Sequence, residues 1–164
     1  MFFLPIIFAL FTACTKDRLP DKIAGTNESS ISATINKNTL LQLVNNLRKS
    51  GCQCGDTYYD PAPAVVWNNL LEAAAYGHSN DMFQNNYLSH TAPDGSNGGV
   101  RIERAGYKWI AYGENIASGF KTEQEVIKGW LSSPNHCKNI MNKAYKEMGV
   151  GRVGNYWTQE MAVK

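Results

Sequence analysis

The last segment of the chain, residues 147–163 (EMGVGRVGNYWTQEMAV), predicts two consecutive β-strands and decides the fold class. The strands are expected over residues 147–153 and 156–163, on either side of Gly154 and Asn155. A two-residue loop that begins with glycine supplies the positive φ that a tight hairpin needs. The chain is therefore expected to end in an antiparallel hairpin.

Helical patterns precede this hairpin. A first helix is predicted to end before Gly51, because apolar residues recur on one of its faces: Leu40, Leu43, Val44 and Leu47. Residues 52–63 are predicted to form a loop. Asn69 and Glu72 have the form of a capping box. They predict a second helix that reaches about residue 86, with a core face of Leu70, Ala73, Ala74, Met82 and Phe83.

Three shorter helices are predicted after the turn-rich residues 89–99. The first covers about residues 100–105. The second begins at the capping box of Thr122 and Glu125, and its inner face consists of Val126, Ile127, Trp130 and Leu131. The third runs from Ser133-Pro134 to about residue 142, since proline is favoured at the first helical position. Helices followed by strands indicate an α+β fold, with helices stacked on a small antiparallel sheet.

The size and charge of the chain limit its organisation and partners. Its 164 residues suffice for one domain, which is expected to cover residues 38–164. Sixteen Lys and Arg against fourteen Asp and Glu leave a net charge of +2 without a basic run. This charge pattern excludes broad electrostatic binding to nucleic acid. We expect a monomer with no nucleic-acid partner.

The N-terminal residues 1–13, MFFLPIIFALFTA, are uncharged and almost wholly apolar, and Cys14 follows them. This run is shorter than the ~20 residues of a membrane-spanning helix and is typical of a signal peptide. Thr12 and Ala13 before Cys14 resemble the lipobox of bacterial lipoproteins, in which the cysteine is acylated. The alternative is an ordinary signal peptide with a chance cysteine. Residues 14–37 are polar and lack periodicity, which predicts a tether.

A few ionisable residues stand out as candidates for chemistry. His90 ends the stretch NYLSHTAPDG, where a side chain can face a cleft, whereas His78 within a helix is expected to be packed or solvated. His136 falls in the first turn of a predicted helix, where the dipole disfavours the protonated imidazole and so favours the metal-binding form. Glu114 is the lone charge in residues 109–120. Glu125 is a candidate as well as a capping residue.

The order of short motifs along residues 38–164 closely resembles the CAP superfamily, which includes the cysteine-rich secretory proteins, antigen five and the pathogenesis-related proteins of plants. Its bacterial secreted branch, the SCP-like extracellular proteins, is the most similar. Among the motifs are YLSH at 87–90, GENI at 113–116, EVIKGW at 125–130, SPNH at 133–136 and YWTQ at 156–159. A single motif of this kind is weak evidence for the family, but several of them in the family's order are a specific match.

This resemblance implies a three-layer α-β-α sandwich with a central antiparallel sheet. It also implies a large cavity carrying two histidines and two acidic residues, which fall here on His90, Glu114, Glu125 and His136. In some members the two histidines bind a divalent metal, often zinc. We therefore expect His90 and His136 to bind zinc or another divalent cation. Water or a carboxylate would complete the coordination, because two imidazoles supply only part of a tetrahedral shell.

The cysteines depart from the disulfide pattern of eukaryotic CAP proteins. Outside the cytoplasm, Cys137 is expected to pair with either Cys52 or Cys54, and the sequence does not choose between them.

The family has no single agreed reaction, since its members are described as sterol or lipid binders, as modulators of other proteins and in a few cases as proteases. The sequence favours an extracellular binding module with a metal site and a small or lipid-like ligand, secreted or anchored at the cell envelope through Cys14. The alternative is a metal-assisted hydrolase of envelope or peptide substrates with Glu114 or Glu125 as base. A purely structural surface protein ranks third.

Overall fold

The computed structural model describes residues 35–164, so the predicted signal peptide, the lipidation site at Cys14 and most of the predicted tether lie outside the described residues. Within this range the elements are α1 (Lys37–Ser50), β1 (Cys52–Cys54), β2 (Thr57–Tyr59), β3 (Val66–Trp67), α2 (Asn69–Asn85), α3 (Gly98–Arg104), β4 (Ala111–Ser118), α4 (Glu123–Ser132), α5 (Pro134–Met141), β5 (Glu147–Val153) and β6 (Tyr156–Val163). No helix among them has the length and apolarity needed to cross a membrane.

The central sheet has the strand order β3-β5-β6-β4. The predicted hairpin is confirmed: β5 and β6 pair antiparallel, and Gly154 has a φ of 55°. Strand β4 pairs antiparallel with β6 along its whole length, whereas the two-residue strand β3 joins β5 in parallel. The sequence did not predict β4, because AYGENIAS holds glycine and polar residues that disfavour strands. Its pairing with β6 overrides this local preference.

Helices cover both faces of the sheet, which confirms the three-layer α-β-α arrangement. On β6, alternate residues point to opposite faces. Trp157 and Met161 pack in the main core with α1, α4 and α5, while Ala162 packs with α2 and α3. The second face also receives Thr158, whose hydroxyl accepts a hydrogen bond from Ser79 of α2. Polar residues on β6 are therefore buried on the α2 side.

The predicted end of α2 is confirmed, but its predicted start was wrong by one residue, and of its predicted core face only Ala74 and Met82 are buried. Its N-cap is Asn68 rather than Asn69, and Glu72 accepts hydrogen bonds from Trp67 Nε1 and Lys37 Nζ instead of closing a capping box. The buried stripe has helical spacing and consists of Leu71, Ala74, Ala75, His78, Ser79 and Met82. Because two of its members are polar, the stripe is hard to see in the sequence, and the exposed Leu70 and Phe83 mimic a core face.

Two further predictions are corrected or confirmed by local geometry. Residues 52–63 were expected to form a loop, but β1 and β2 form a short antiparallel hairpin there. The capping box at α4 is confirmed, since Thr122 accepts from the Glu125 amide and Glu125 accepts from the Thr122 amide. Short polar strands resemble loops in sequence, whereas a capping box is encoded by two residues alone.

Trp130 is buried, which confirms its predicted place on the inner face of α4. Trp157 of β6 is buried as well, and Trp67 of β3 is half-buried. The indole Nε1 of Trp130 has no hydrogen-bond partner among the described residues. Replacing Trp130 with phenylalanine therefore removes volume without removing a hydrogen bond, and we expect a loss of about 1–2 kcal/mol in the free energy of unfolding. Urea unfolding measures it. A loss above about 3 kcal/mol would mean that the indole N–H is used.

Candidate functional site

His90 and Glu114 are in direct contact at the β4 edge of the sheet. His90 lies in the loop after α2, and Glu114 lies in the middle of β4. The Nδ1 atom of His90 is 2.7 Å from Glu114 Oε1. The side chain of Glu114 is only 5% exposed, whereas that of His90 is 55% exposed. Because this hydrogen bond occupies Nδ1, Nε2 is the ring nitrogen left for another partner.

Arg101 of α3 donates hydrogen bonds to both members of this pair. One of its terminal nitrogens donates to Glu114 Oε2 at 2.5 Å and to the carbonyl oxygen of His90 at 2.9 Å. The other terminal nitrogen donates to the carbonyl oxygen of Ser96 at 2.8 Å. The guanidinium therefore fixes both the carboxylate and the loop that carries His90.

A second carboxyl group, that of Glu160, lies next to Glu114. The two residues are paired in the register of β4 and β6, and Glu160 is fully buried. Burial, and then the negative charge of Glu114, raise the pKa of Glu160 far above its usual range. Burial also acts to raise the pKa of Glu114, but the hydrogen bond from His90 and the charge and hydrogen bond of Arg101 lower it overall. Near neutral pH, Glu160 is thus neutral beside an ionised Glu114, and neither of its buried carboxyl oxygens has a hydrogen-bond partner among the described residues.

His136 reaches the same region from the first turn of α5. Its carbonyl oxygen accepts from Asn115 Nδ2 at 3.1 Å, and Asn139 of α5 donates to the carbonyl oxygen of Glu114 at 3.1 Å. These bonds tie α5 to β4 beside the His90–Glu114 pair. Burial, and then the nearby His90, lower the pKa of His136. Its imidazole is therefore neutral at neutral pH, which is the form that binds metals.

The structure places Glu125 apart from these three residues. Its carboxylate closes the N-terminus of α4, where Oε2 accepts from the backbone amide of Lys121 at 2.8 Å. It also lines a different groove, with Phe120 and Lys128. Within residues 35–164, Glu125 makes no hydrogen bond to His90, Glu114 or His136. The capping role that its spacing predicts is the role that it has.

A groove of about 570 Å³ lies behind Arg101, between α2, α3 and residues 92–96. His78, which the sequence left as packed or solvated, lies in its wall and is completely buried. The Nε2 atom of His78 is 2.9 Å from the carbonyl oxygen of Ser89, and burial lowers its pKa. His78 therefore supports the backbone just before His90 as a neutral donor.

A disulfide joins Cys54 to Cys137, with a Cα–Cα distance of 5.4 Å. This is one of the two pairings left open by the sequence. Cys52 is the free cysteine among the described residues. The bridge links β1 to α5 directly beside His136.

Arg101 and Glu160 are the site residues that sequence reasoning missed. Arg101 is one of three charged residues in the short helix α3, where nothing in the sequence separates it from Glu103 and Arg104. The signal for Glu160 is a lone acid in the buried strand YWTQEMAV, and it gains meaning only once the register with β4 is known.

Comparison with known proteins gives consistent matches. Residues 41–162 match the family described as "CAP: Cysteine-rich secretory protein family". The uncharacterised protein YkwD of Bacillus subtilis is 38% identical over 99 residues, which are 59% of this chain and 38% of that protein. The uncharacterised membrane protein YlbC of the same organism is 36% identical over 95 residues, covering 58% of this chain and 28% of that protein. The matched part is thus well under half of each relative.

Solved structures show the same architecture. An extracellular protein of Bacillus anthracis that contains an SCP domain matches with a TM-score of 0.64 and 29% identity, over 77% of this chain and 41% of that chain. An outer surface protein of Borrelia burgdorferi matches with a TM-score of 0.66 and 20% identity, over 77% of this chain and 91% of that chain. The second likeness concerns the fold alone.

Proposed function

This chain belongs to the CAP family of cysteine-rich secretory proteins, and on that premise we propose that it is an exported bacterial binding protein in which His90 and His136 hold one divalent cation. The Bacillus anthracis protein, 29% identical, is described as an extracellular protein. The apolar N-terminal run and the Cys54–Cys137 disulfide support export to an oxidising compartment.

The observation that carries the metal proposal is the contact between His90 and the buried Glu114. Metal-binding histidines commonly donate their second ring nitrogen to a carboxylate, which fixes the tautomer and the direction of the ring. Here Nδ1 of His90 makes that bond at 2.7 Å, and Arg101 fixes the carboxylate in turn. Glu114 is therefore a positioning residue for His90. His136, held neutral, supplies the second imidazole.

The donor set favours zinc with incomplete protein coordination. Two imidazole nitrogens suit zinc, and water would fill the remaining positions. The half-exposed ring of His90 leaves room for that water or for a ligand atom. We propose the neighbouring groove of about 570 Å³ for a small lipid-like ligand, since its size is typical of small-molecule sites. Its walls combine an apolar part, which includes Ala73, Ala92 and Pro93, with the charged side chains of Asp81 and Arg104.

The engagement of the carboxylates supports binding over hydrolysis. A metal-assisted hydrolase needs a carboxylate free to accept a proton from water. Both oxygens of Glu114 are held by His90 and Arg101, and Glu125 caps α4. Hydrolysis therefore remains the second candidate, to be recognised by substrate turnover that requires added metal.

Zinc titration by calorimetry tests the proposal. We expect one site in the wild type and none in His90→Ala or His136→Ala. The matched control is Glu125→Gln, which alters the α4 cap but should leave zinc binding unchanged. Binding should weaken as the pH falls below about 6, because a protonated imidazole cannot bind a metal. If folded His90→Ala binds zinc as tightly as the wild type, the shared site is wrong.

Membrane attachment is a separate proposal that rests on Thr12-Ala13-Cys14. We expect the mature protein to begin at Cys14 and to carry an acylated glyceryl group there. Intact-mass measurement of membrane-extracted protein should give a mass above that of the unmodified 14–164 chain. Recovery of an unmodified chain entirely in the soluble fraction would contradict lipidation and leave secretion.

A further inference from the structure

Three cysteines meet at the junction of β1 and α5. Cys52 and Cys54 are two residues apart on a strand, so both side chains lie on the same face. That face is turned toward Cys137 in the first turn of α5. The Sγ atoms of the three residues all lie within 4.8 Å of one another. Cys54 and Cys137 form the disulfide, and the free Sγ of Cys52 is 3.7 Å from Sγ of Cys137.

We propose that Cys52 is an exchange thiol for the Cys54–Cys137 disulfide. After losing its proton to solvent, Cys52 Sγ attacks Cys137 Sγ and forms a Cys52–Cys137 bond. The Cys54–Cys137 bond breaks, and Cys54 leaves as a thiolate that takes up a proton. One disulfide and one thiol are present before and after the step, so no oxidant or reductant is consumed.

The sulfur atoms are close enough for this route, and because burial raises the pKa of the Cys52 thiol, exchange is expected to be faster in alkaline solution. Exchange requires a thiolate with access to a disulfide sulfur. Cys54 is 1% exposed and Cys137 is 0% exposed, so thiols from outside reach neither sulfur easily. Cys52 is only half-buried and already stands beside Cys137. The disulfide is thus shielded from external thiols but open to this internal one.

Exchange would change which thiol the protein exposes. With Cys54–Cys137 paired, the free thiol is the half-buried Cys52, which outside reagents can reach. With Cys52–Cys137 paired, the free thiol is Cys54, at a buried position. Either bond ties β1 to α5 beside His136. A crosslink between β1 and α5 is therefore kept in both states, while the free thiol changes between the half-buried Cys52 and the buried Cys54.

Thiol mapping of the full-length chain and its single variants tests the proposal. Cys52 and Cys54 fall in one tryptic peptide, because no Lys or Arg lies between Lys49 and Arg101. The variants are therefore needed. In native Cys54→Ser we expect a Cys52–Cys137 disulfide and no free thiol among residues 35–164. Cys52→Ser, the matched control, should keep Cys54–Cys137. Two alkylatable thiols in folded Cys54→Ser would overturn the proposal.

A second measurement uses the wild type and does not depend on how the variants fold. The native protein is incubated at about pH 8.5, near the ordinary pKa of a thiol. It is then denatured in acid to stop exchange and labelled with a maleimide. Fragmentation of the tryptic peptide should show label on both Cys52 and Cys54, with the share on Cys54 rising over time. Label on Cys52 alone at every time would overturn the proposal.

Discussion

Replacing Gly151 with alanine is expected to lower the free energy of unfolding by at least about 3 kcal/mol or to prevent folding. Gly151 lies on the face of β5 that packs against α2. A Cβ atom there would stand 2.1 Å from the backbone nitrogen of Tyr76 and 2.3 Å from its Cα. These are helix backbone atoms that cannot rotate away, so α2 would have to move off the sheet. Gly149, two residues earlier on β5, faces the preceding turn of α2, where an added Cβ atom would stand 2.1 Å from the backbone nitrogen of Glu72.

The matched control is Gly77→Ala within α2 itself. A Cβ at Gly77 would meet nothing within 4 Å. Since glycine disfavours a helix interior, this change should stabilise the protein by about 0.5–1 kcal/mol. Urea unfolding compares the two variants. If Gly151→Ala cost less than about 1 kcal/mol, α2 would not rest on β5 at backbone contact.

Replacing Arg101 with methionine should lower the free energy of unfolding by about 3–5 kcal/mol, because it leaves a buried carboxylate without its countercharge. Both side chains are nearly buried, at 9% and 5% exposure for Arg101 and Glu114. The change also removes the donors to the carbonyl oxygens of His90 and Ser96. The loop that positions His90 should loosen, so zinc affinity should fall with stability.

Two variants separate this effect from a general loss of charge. Arg104, also on α3, pairs with Asp94 in solvent, and Arg104→Met should leave stability nearly unchanged. Adding Glu114→Gln to Arg101→Met should restore part of the loss, since the unpaired charge is removed. Equal losses from Arg101→Met and Arg104→Met would contradict the buried pairing.

The pH dependence of this loss has a defined sign. The pKa of Glu114 is lowered in the folded protein from an ordinary value of 4.5. Its paired carboxylate therefore stabilises the fold fully above pH 4.5, and this stabilisation is lost as the pH falls through the lower pKa of the folded state. The penalty of Arg101→Met should therefore shrink in acid, where Glu114 becomes neutral. Urea unfolding at neutral pH and below pH 4 measures it.

Features encoded by neighbouring residues were predictable from the sequence, and features that depend on distant pairing were not. The α4 cap and the β5–β6 hairpin are set by two or three adjacent residues each. Strand β4 exists because β6 pairs with it, and the true core face of α2 includes polar residues that only the sheet explains.

The same distinction holds at the site. The motif order pointed to His90, Glu114 and His136. It could not show that Arg101 pairs with the carboxylate of Glu114 or that the neutral Glu160 lies beside it, because those contacts require the folded register.

The most direct test of the metal site is an imidazole ¹H–¹⁵N NMR spectrum recorded while zinc is added. The chain has three histidines, so each ring can be followed separately. We predict that His90 and His136 respond together and saturate at one equivalent, with His90 bound through Nε2 and its Nδ1 still protonated toward Glu114. The buried His78 should not respond and serves as the internal control. A spectrum in which only one of His90 and His136 responds, or in which neither does, would contradict the account.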